Sequence, residues 1–515
     1  MKRIINNYKF EIITSIILFI FTTIISHNLF QNKVPYETYL YPYENSLFLL
    51  KYIILKTISF FIIFIIIYFI KFIYQKIKEK NIFYIRFIEG SIIFFILLFI
   101  TLLKNFPGVW TYDALHLLEY ATSLNFISWH NIYTSIFYII SLFFIPHASG
   151  IVIIQFILIS IIFGYIYAKI FEIFPTKLRF LIFLILTPIN IFYANWVFRT
   201  TISSYLELFL IFFTIFNLNK KISFKKMLLF DILIAFICFY RSENIIYILL
   251  PIILNFKSFK IIFKHILFII IISLIINFPQ KIISNKYYNY DYLIITTYES
   301  LQYILNTVSA NDKVILNEKN NIEKIIPYEY LKNYGQHSYF EYNYENNSYG
   351  TVLNKPKTAQ LSYLLSVLKI FKEHFNLFLQ NKINLTTSLF INKTYYPTTP
   401  LYSLRTKYFF EERLNSITNH IDKKYHLNKN IYNVDTTNSL LIPFSIICLA
   451  LVFNLFKNKK LFLVLLLLFI KLGACILFAP GASFMYFYYL YLIGYFLLAY
   501  YLYCIYFKIK THFQK

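Results

Sequence analysis

Phe60-Phe61-Ile62-Ile63-Phe64-Ile65-Ile66-Ile67-Tyr68-Phe69-Ile70 lies in a stretch with no charged side chain between Lys56 and Lys71. The runs 90–103 and 461–470 are alike, and each belongs to an apolar segment of roughly 17 to 25 residues, the length that crosses a bilayer as a helix. Lipid offers the backbone no hydrogen-bond partner, so a single spanning segment must satisfy its own N–H and C=O groups, and a helix does this. The abundant Ile, Phe and Tyr, beside much Lys and Asn, fits an AT-rich genome and does not argue for strands. Hydrophobic residues make up 58% of the 515 and charged ones 14%, against about 25% charged in a soluble domain. Apolar segments recur along nearly the whole chain and no Gly/Ser-rich or Pro-rich linker divides it, which predicts one membrane body.

The net charge of +25 does not point to nucleic acid, because Lys and Arg gather in short loops between apolar segments, as the positive-inside rule describes. Segments 71–86, 220–226, 257–264, 457–460 and 508–515, with the N-terminus, are expected in the cytoplasm. Loops 29–51, 104–130, 241–244, 279–439 and 479–483 are then outside. Segment 131–146 breaks this alternation if it crosses. As a helix it reaches only about 22 Å against a hydrocarbon core of about 30 Å, so it is expected to be re-entrant or interfacial. About twelve crossings follow, with both termini cytoplasmic in a bacterial inner membrane. Met1-Lys2-Arg3 and the apolar 10–25 resemble a signal sequence without a small-residue cleavage site and read as a retained first helix. Cys238, Cys448, Cys475 and Cys504 lie in apolar segments without metal-ligand spacing, so neither a disulfide framework nor a zinc site is expected.

The expected fold is an all-α polytopic bundle with one polar domain inserted before the last three helices. It divides into a transmembrane module 1–278, an extracytoplasmic domain 279–437 and C-terminal helices 438–515. The polar domain holds about half of the acidic residues and much Asn and Tyr. It is expected to be mainly α or mixed α/β, with a helix over 359–379 and a strand at 294–297.

The most informative loop is Asn105-Phe106-Pro107-Gly108-Val109-Trp110-Thr111-Tyr112-Asp113. Pro107 and Gly108 end the preceding helix and turn the chain along the membrane. In the amphipathic stretch that follows, 113–125, Asp113, His116 and Tyr120 share one face at i, i+3 and i+7. An acid and an imidazole then point the same way. Asp113 also suits the N-cap of a surface helix. Ser128-Trp129-His130-Asn131 brings a second imidazole to the same interface.

Arg199 and Arg241 fall on the outer side, against the charge bias. A guanidinium held there suggests a phosphate or carboxylate partner, since its fork pairs two oxygens at once; pairing of Arg241 with Glu243, or snorkelling, also accounts for it. Trp110, Trp129 and Trp196 all occupy outer segments, where an aromatic belt forms and where an indole can also stack on a sugar or lipid head. Arg199, Glu207, Asp231 and Lys471 are the few ionisable residues in or beside apolar segments, a feature that transporters share.

Together these features resemble the GT-C membrane glycosyltransferases, through an uncharacterised bacterial branch of GT-C-like polytopic proteins. The matching positions are Pro107, Gly108 and Asp113, then His130 and Thr134, Gln155, Pro188 with Asn190, Arg241 with Asn244, and Gln302. The match is diffuse and runs through most of the chain. It departs at Arg199-Thr200, where relatives carry a Lys-Asp pair, at Trp129-His130-Asn131 in place of His-His-Pro, and at Met485-Tyr486 in place of Arg-Tyr. The resemblance implies transfer of a sugar from a polyprenyl-phosphate donor to a cell-envelope glycan, lipid or protein on the outer face. Asp113 would be the general base or the ligand of a divalent cation, Mg or Mn, and His130 its catalytic partner. Arg199 and Arg241 would hold the donor phosphate, and Glu243, His116, Trp110, Trp129, Gln302 and Tyr486 would line the substrate. A glycolipid transporter or flippase, and a non-catalytic envelope assembly protein, are the competing expectations.

Overall fold

The computed structural model describes residues 8–30, 47–104, 106–110, 112–126, 131–174, 179–218, 220, 222–254, 259–284, 291–309, 311–333, 355–391, 440–478 and 484–513. Among these the structure is helical and contains no strand. Eight helices are long and apolar enough to cross a membrane: Lys9–Leu29, Phe48–Lys78, Ile82–Leu103, Ala148–Ile173, Arg199–Asn217, Phe259–Ile282, Lys459–Phe478 and Tyr488–Phe507. Shorter apolar helices, Ile132–Phe144, Ser242–Leu254 and Leu441–Lys457, pack with them.

In chain order the helices are α1 (Lys9–Ser26), α2 (Phe48–Lys78), α3 (Ile82–Lys104), α4 (Tyr112–Thr122), α5 (Ile132–Phe144), α6 (Ala148–Ile173), α7 (Pro188–Asn195), α8 (Arg199–Asn217) and α9 (Phe224–Tyr240). A 3₁₀ turn, Ser242–Leu249, leads into α10 (Leu250–Leu254) and then α11 (Phe259–Ser284). The polar region contributes α12 (Asp291–Thr307), α13 (Lys313–Glu323), α14 (Tyr328–Asn333), α15 (Lys357–Glu373) and α16 (Phe375–Ile391). Helices α17 (Leu441–Lys457), α18 (Lys459–Phe478) and α19 (Tyr488–Phe513) complete the bundle.

Small residues set a close crossing between α3 and α6. A Cβ on Gly164 would lie 2.0 Å from Ser91 Oγ and 2.6 Å from the Phe87 carbonyl, and one on Gly90 would lie 2.7 Å from the Tyr167 ring. Apolar side chains gain little from leaving lipid for another helix, so such close backbone approach is a main source of attraction. Phe94 and Phe163 stack in the same contact with ring centroids 4.0 Å apart.

The short α5 is held by polar contacts at its start. Asn131 caps it, accepting from the Tyr133 N–H, and its amide donates to the Phe239 carbonyl at 3.1 Å. The Ile132 N–H donates to Gln280 Oε1 at 2.6 Å and the Tyr133 hydroxyl to the Ile276 carbonyl at 3.0 Å. The beginning of α5 is thereby tied to the ends of α9 and α11. With 13 residues, α5 is about 20 Å long, short of a full crossing as its sequence suggests.

One expectation is corrected. The strand expected at 294–297 is helix, part of α12, because Ile294, Tyr298, Leu301 and Leu305 recur at helical spacing and all are buried in a second core with α13, α14 and α15. Helix α11 carries Pro279 inside it and runs on to Ser284. The helix expected over 359–379 is present as α15 and α16, separated at His374. All four cysteines are free.

Candidate functional site

The chain from Pro107 to Trp110 pins the start of α4 to the turn between α7 and α8. Val109 and Trp196 form a parallel bridge, in which the Val109 N–H donates to the Asn195 carbonyl at 2.9 Å and the Val197 N–H to the Val109 carbonyl at 3.2 Å. Val109, Trp196 and Val197 are buried, so their non-helical backbone must find its partners in the protein. Side chains supply the remaining donors. Gln155 Nε2 donates to the carbonyls of Ala194 at 2.7 Å and Trp196 at 3.1 Å, and the Tyr138 hydroxyl to that of Val197 at 2.8 Å. Gly108, with φ of +119°, makes the turn possible. Asp113 follows Val109 by four residues and Arg199 follows Trp196 by three, so their backbones lie within about 14 Å and 11 Å of the bridge by chain reach alone.

Arg241 occupies the corner after α9. Its guanidinium donates to Thr200 Oγ1 at 3.0 Å, pairs with Glu243 and lies 5.4 Å from the centre of the Tyr486 ring. Thr200 is the second residue of α8 and Arg199 the first, and no side chain caps that helix. The positive end of the α8 dipole therefore faces the same corner as two guanidinium-bearing residues. Among the described residues, Val109, the start of α8, Arg241 and Tyr486 meet at one end of the bundle. At the opposite end Lys460 Nζ donates to the Leu218 carbonyl at 2.9 Å.

Behind the corner lies a buried polar network. Lys471 Nζ is 2.5 Å from Glu207 Oε2, and the same carboxylate accepts from the Tyr247 hydroxyl at 2.9 Å and, on its other oxygen, from Ser203 at 3.0 Å. The Lys471 ammonium also sits 3.7 Å from the Tyr489 ring centre. Asn244 joins network to corner, donating to Ser203 Oγ and to the Ile237 carbonyl, both at 3.2 Å. Glu243 interacts electrostatically with Arg241, Lys471 and Arg199, and Arg241 with Glu207. Among the described residues the cluster gathers three cations, Arg199, Arg241 and Lys471, against two carboxylates, Glu207 and Glu243, a balance that favours an anionic ligand.

Of the residues expected at the site, the structure brings Arg199, Arg241, Glu243 and Tyr486 together. Trp110 is 2% exposed, edge-on to Tyr138, with its indole N–H donating to the Pro107 carbonyl at 3.4 Å; it packs the bridge. Gln302 is buried in the second core, on α12. Asp113 and His116 lie in the first two turns of α4, with Asp113 its second residue, and their side chains lie outside the described residues, as do Trp129 and His130 entirely. The sequence offers no signal for Ser203, Tyr247 and Tyr489, and marks Thr200 only as a departure from the family pattern. Glu207 and Lys471 carried the one available signal, a carboxylate and an ammonium in apolar segments.

No family model, curated protein or solved structure matches this chain.

Proposed function

We propose that the chain is a membrane glycosyltransferase of the GT-C kind, which takes a sugar from a polyprenyl-phosphate donor and passes it to a cell-envelope glycan, lipid or protein. The observation that carries this reading is the net-positive corner at the start of α8, joined through the Val109–Trp196 bridge to the loop that leads into Asp113. In this reading the bundle makes twelve crossings, with 179–195, α9, Ser242–Leu254 and α17 added to the eight long helices. Both termini and the 71–86 segment are cytoplasmic, and the corner and the polar domain lie outside.

The donor phosphate binds Arg241 and Arg199 at the positive end of α8. Asp113 takes the proton from an acceptor hydroxyl as its oxygen bonds to the anomeric carbon. The bond from that carbon to the phosphate oxygen breaks, and the guanidinium groups stabilise the charge gained by the departing polyprenyl phosphate. His130 is the second proton-handling group, while Glu243 fixes the Arg241 fork and Tyr486 covers its face. A divalent cation, Mg or Mn, would find its carboxylate in Asp113.

A glycolipid transporter or flippase is the second reading, favoured by the His265–Asp231 pair, 2.5 Å apart and buried between α11 and α9. A non-catalytic assembly role is the third. The deciding experiment measures binding and turnover of a polyprenyl-phosphate sugar by the purified protein in nanodiscs. Arg241→Lys keeps the charge and loses the planar fork, so donor binding should weaken by about 1 to 3 kcal/mol at normal expression. Unchanged binding in both Arg241→Ala and Arg199→Ala would place the phosphate elsewhere. Sugar movement across the bilayer without transfer would favour the transporter.

A further inference from the structure

Helix α15 is apolar on two opposite faces. Tyr363, Val367, Ile370 and Phe371 are buried in the second core, while Leu361, Leu365 and Leu368 are 44%, 52% and 59% exposed. The exposed leucines stand at i, i+4 and i+7 and form one stripe, with Lys357 a turn before it and Lys372 a turn after it. Phe375, at the start of α16, is also exposed and extends the apolar surface past His374. A stripe of this kind facing water would be a liability.

The domain is held close to the bilayer. Seven residue steps join Ser284, the end of α11, to Asp291, the start of α12, so the two are no more than about 25 Å apart. At its other end α16 returns to the bundle, where the Phe390 ring meets that of Phe444 in the first turn of α17, with centroids 5.2 Å apart. α16 also packs against α18. Leucines bracketed by lysines match an interfacial helix, in which the apolar stripe enters the boundary between headgroups and acyl chains and the ammonium groups extend to anionic headgroups.

We infer that the Leu361–Leu365–Leu368 stripe of α15 rests on the bilayer surface at which α11 ends, with Lys357 and Lys372 on anionic phospholipid headgroups. The polar domain is then docked on lipid at a second place, away from its tethers, which limits its tilt over the corner at α8.

Spin labels placed singly at Leu365→Cys and Leu368→Cys test this in the full chain, with the native cysteines replaced and the protein in nanodiscs. Each label should be more accessible to oxygen than to a water-soluble nickel chelate, while a control label at Lys324→Cys shows the reverse. Depth should increase when phosphatidylglycerol is added to phosphatidylcholine, and Lys357→Gln with Lys372→Gln should remove that increase. Nickel-accessible labels at both leucines would mean that the stripe faces water, and labels shielded from both reagents would mean that protein covers it. Either result overturns the proposal. Using two positions guards against a local disturbance at one of them.

Discussion

Lys471 Nζ lies 2.5 Å from Glu207 Oε2 with both side chains almost fully buried, joining α18 to α8 across 264 residues of sequence. Two charges in a low-dielectric interior are tolerated only as a satisfied pair, and here Ser203, Tyr247 and Tyr489 complete the shell. Lys471→Met alone leaves the carboxylate without its counter-ion and should lower stability by about 3 to 5 kcal/mol. Adding Glu207→Gln, which still accepts from Tyr247, should recover most of that loss. Thermal unfolding in detergent checks both variants, and equal destabilisation by the single and double changes would show that charge pairing is not what the site depends on.

Asp113→Asn should leave folding intact, since it preserves size and hydrogen-bonding capacity, and should remove the negative charge that a general base needs. Transfer from a polyprenyl-phosphate sugar is expected to fall by about 10²- to 10⁴-fold, at an unchanged melting temperature. Full transfer activity in this variant would remove Asp113 from the chemistry.

Gly108→Ala should destabilise the bridge by about 1 to 3 kcal/mol. Its φ is +119°, and an added Cβ would lie 2.5 Å from Val152 Cγ2. Gly473→Ala is the matched control, because a Cβ there meets nothing within 4 Å; it should be neutral or slightly stabilising in the helix. Comparative melting curves separate the two, and loss of activity in Gly108→Ala should exceed what its unfolding explains, since the bridge positions α4.

In the polar domain, burial pushes the Glu299 carboxyl up to about 7 and the Lys382 ammonium down to about 8, partly opposed in each case by the other's charge. For Glu299 the folded state holds its proton at pH values where the unfolded chain has released it, so its contribution to stability is present at low pH and is lost as pH rises through about 7. For Lys382 the folded state releases its proton first, so stability rises with pH from about 8 towards the ordinary lysine value. Protection of α12 and α16 in hydrogen exchange, corrected for intrinsic rates, should pass through a minimum between the two values. Glu299→Gln should flatten the low-pH limb and Lys382→Met the high-pH limb; a profile unchanged by both would separate these groups from the domain's pH response.

The apolar runs were enough to read a helical membrane protein, because a spanning segment must satisfy its own backbone and its apolar length is local information. Val109, the start of α8, Arg241 and Tyr486 meet at one end of the bundle. A four-residue window at Ile294 could not separate a period of 2 from one of 3.6, and the longer spacing through Tyr298, Leu301 and Leu305 shows the helix. Only the tertiary structure paired Glu207 with Lys471, laid Arg241 on Thr200 and bridged Val109 to Trp196. Local pattern fixes which face of a helix is apolar, while partners for buried charges and for unpaired backbone are set by how distant helices pack, where low dielectric makes each such match decisive.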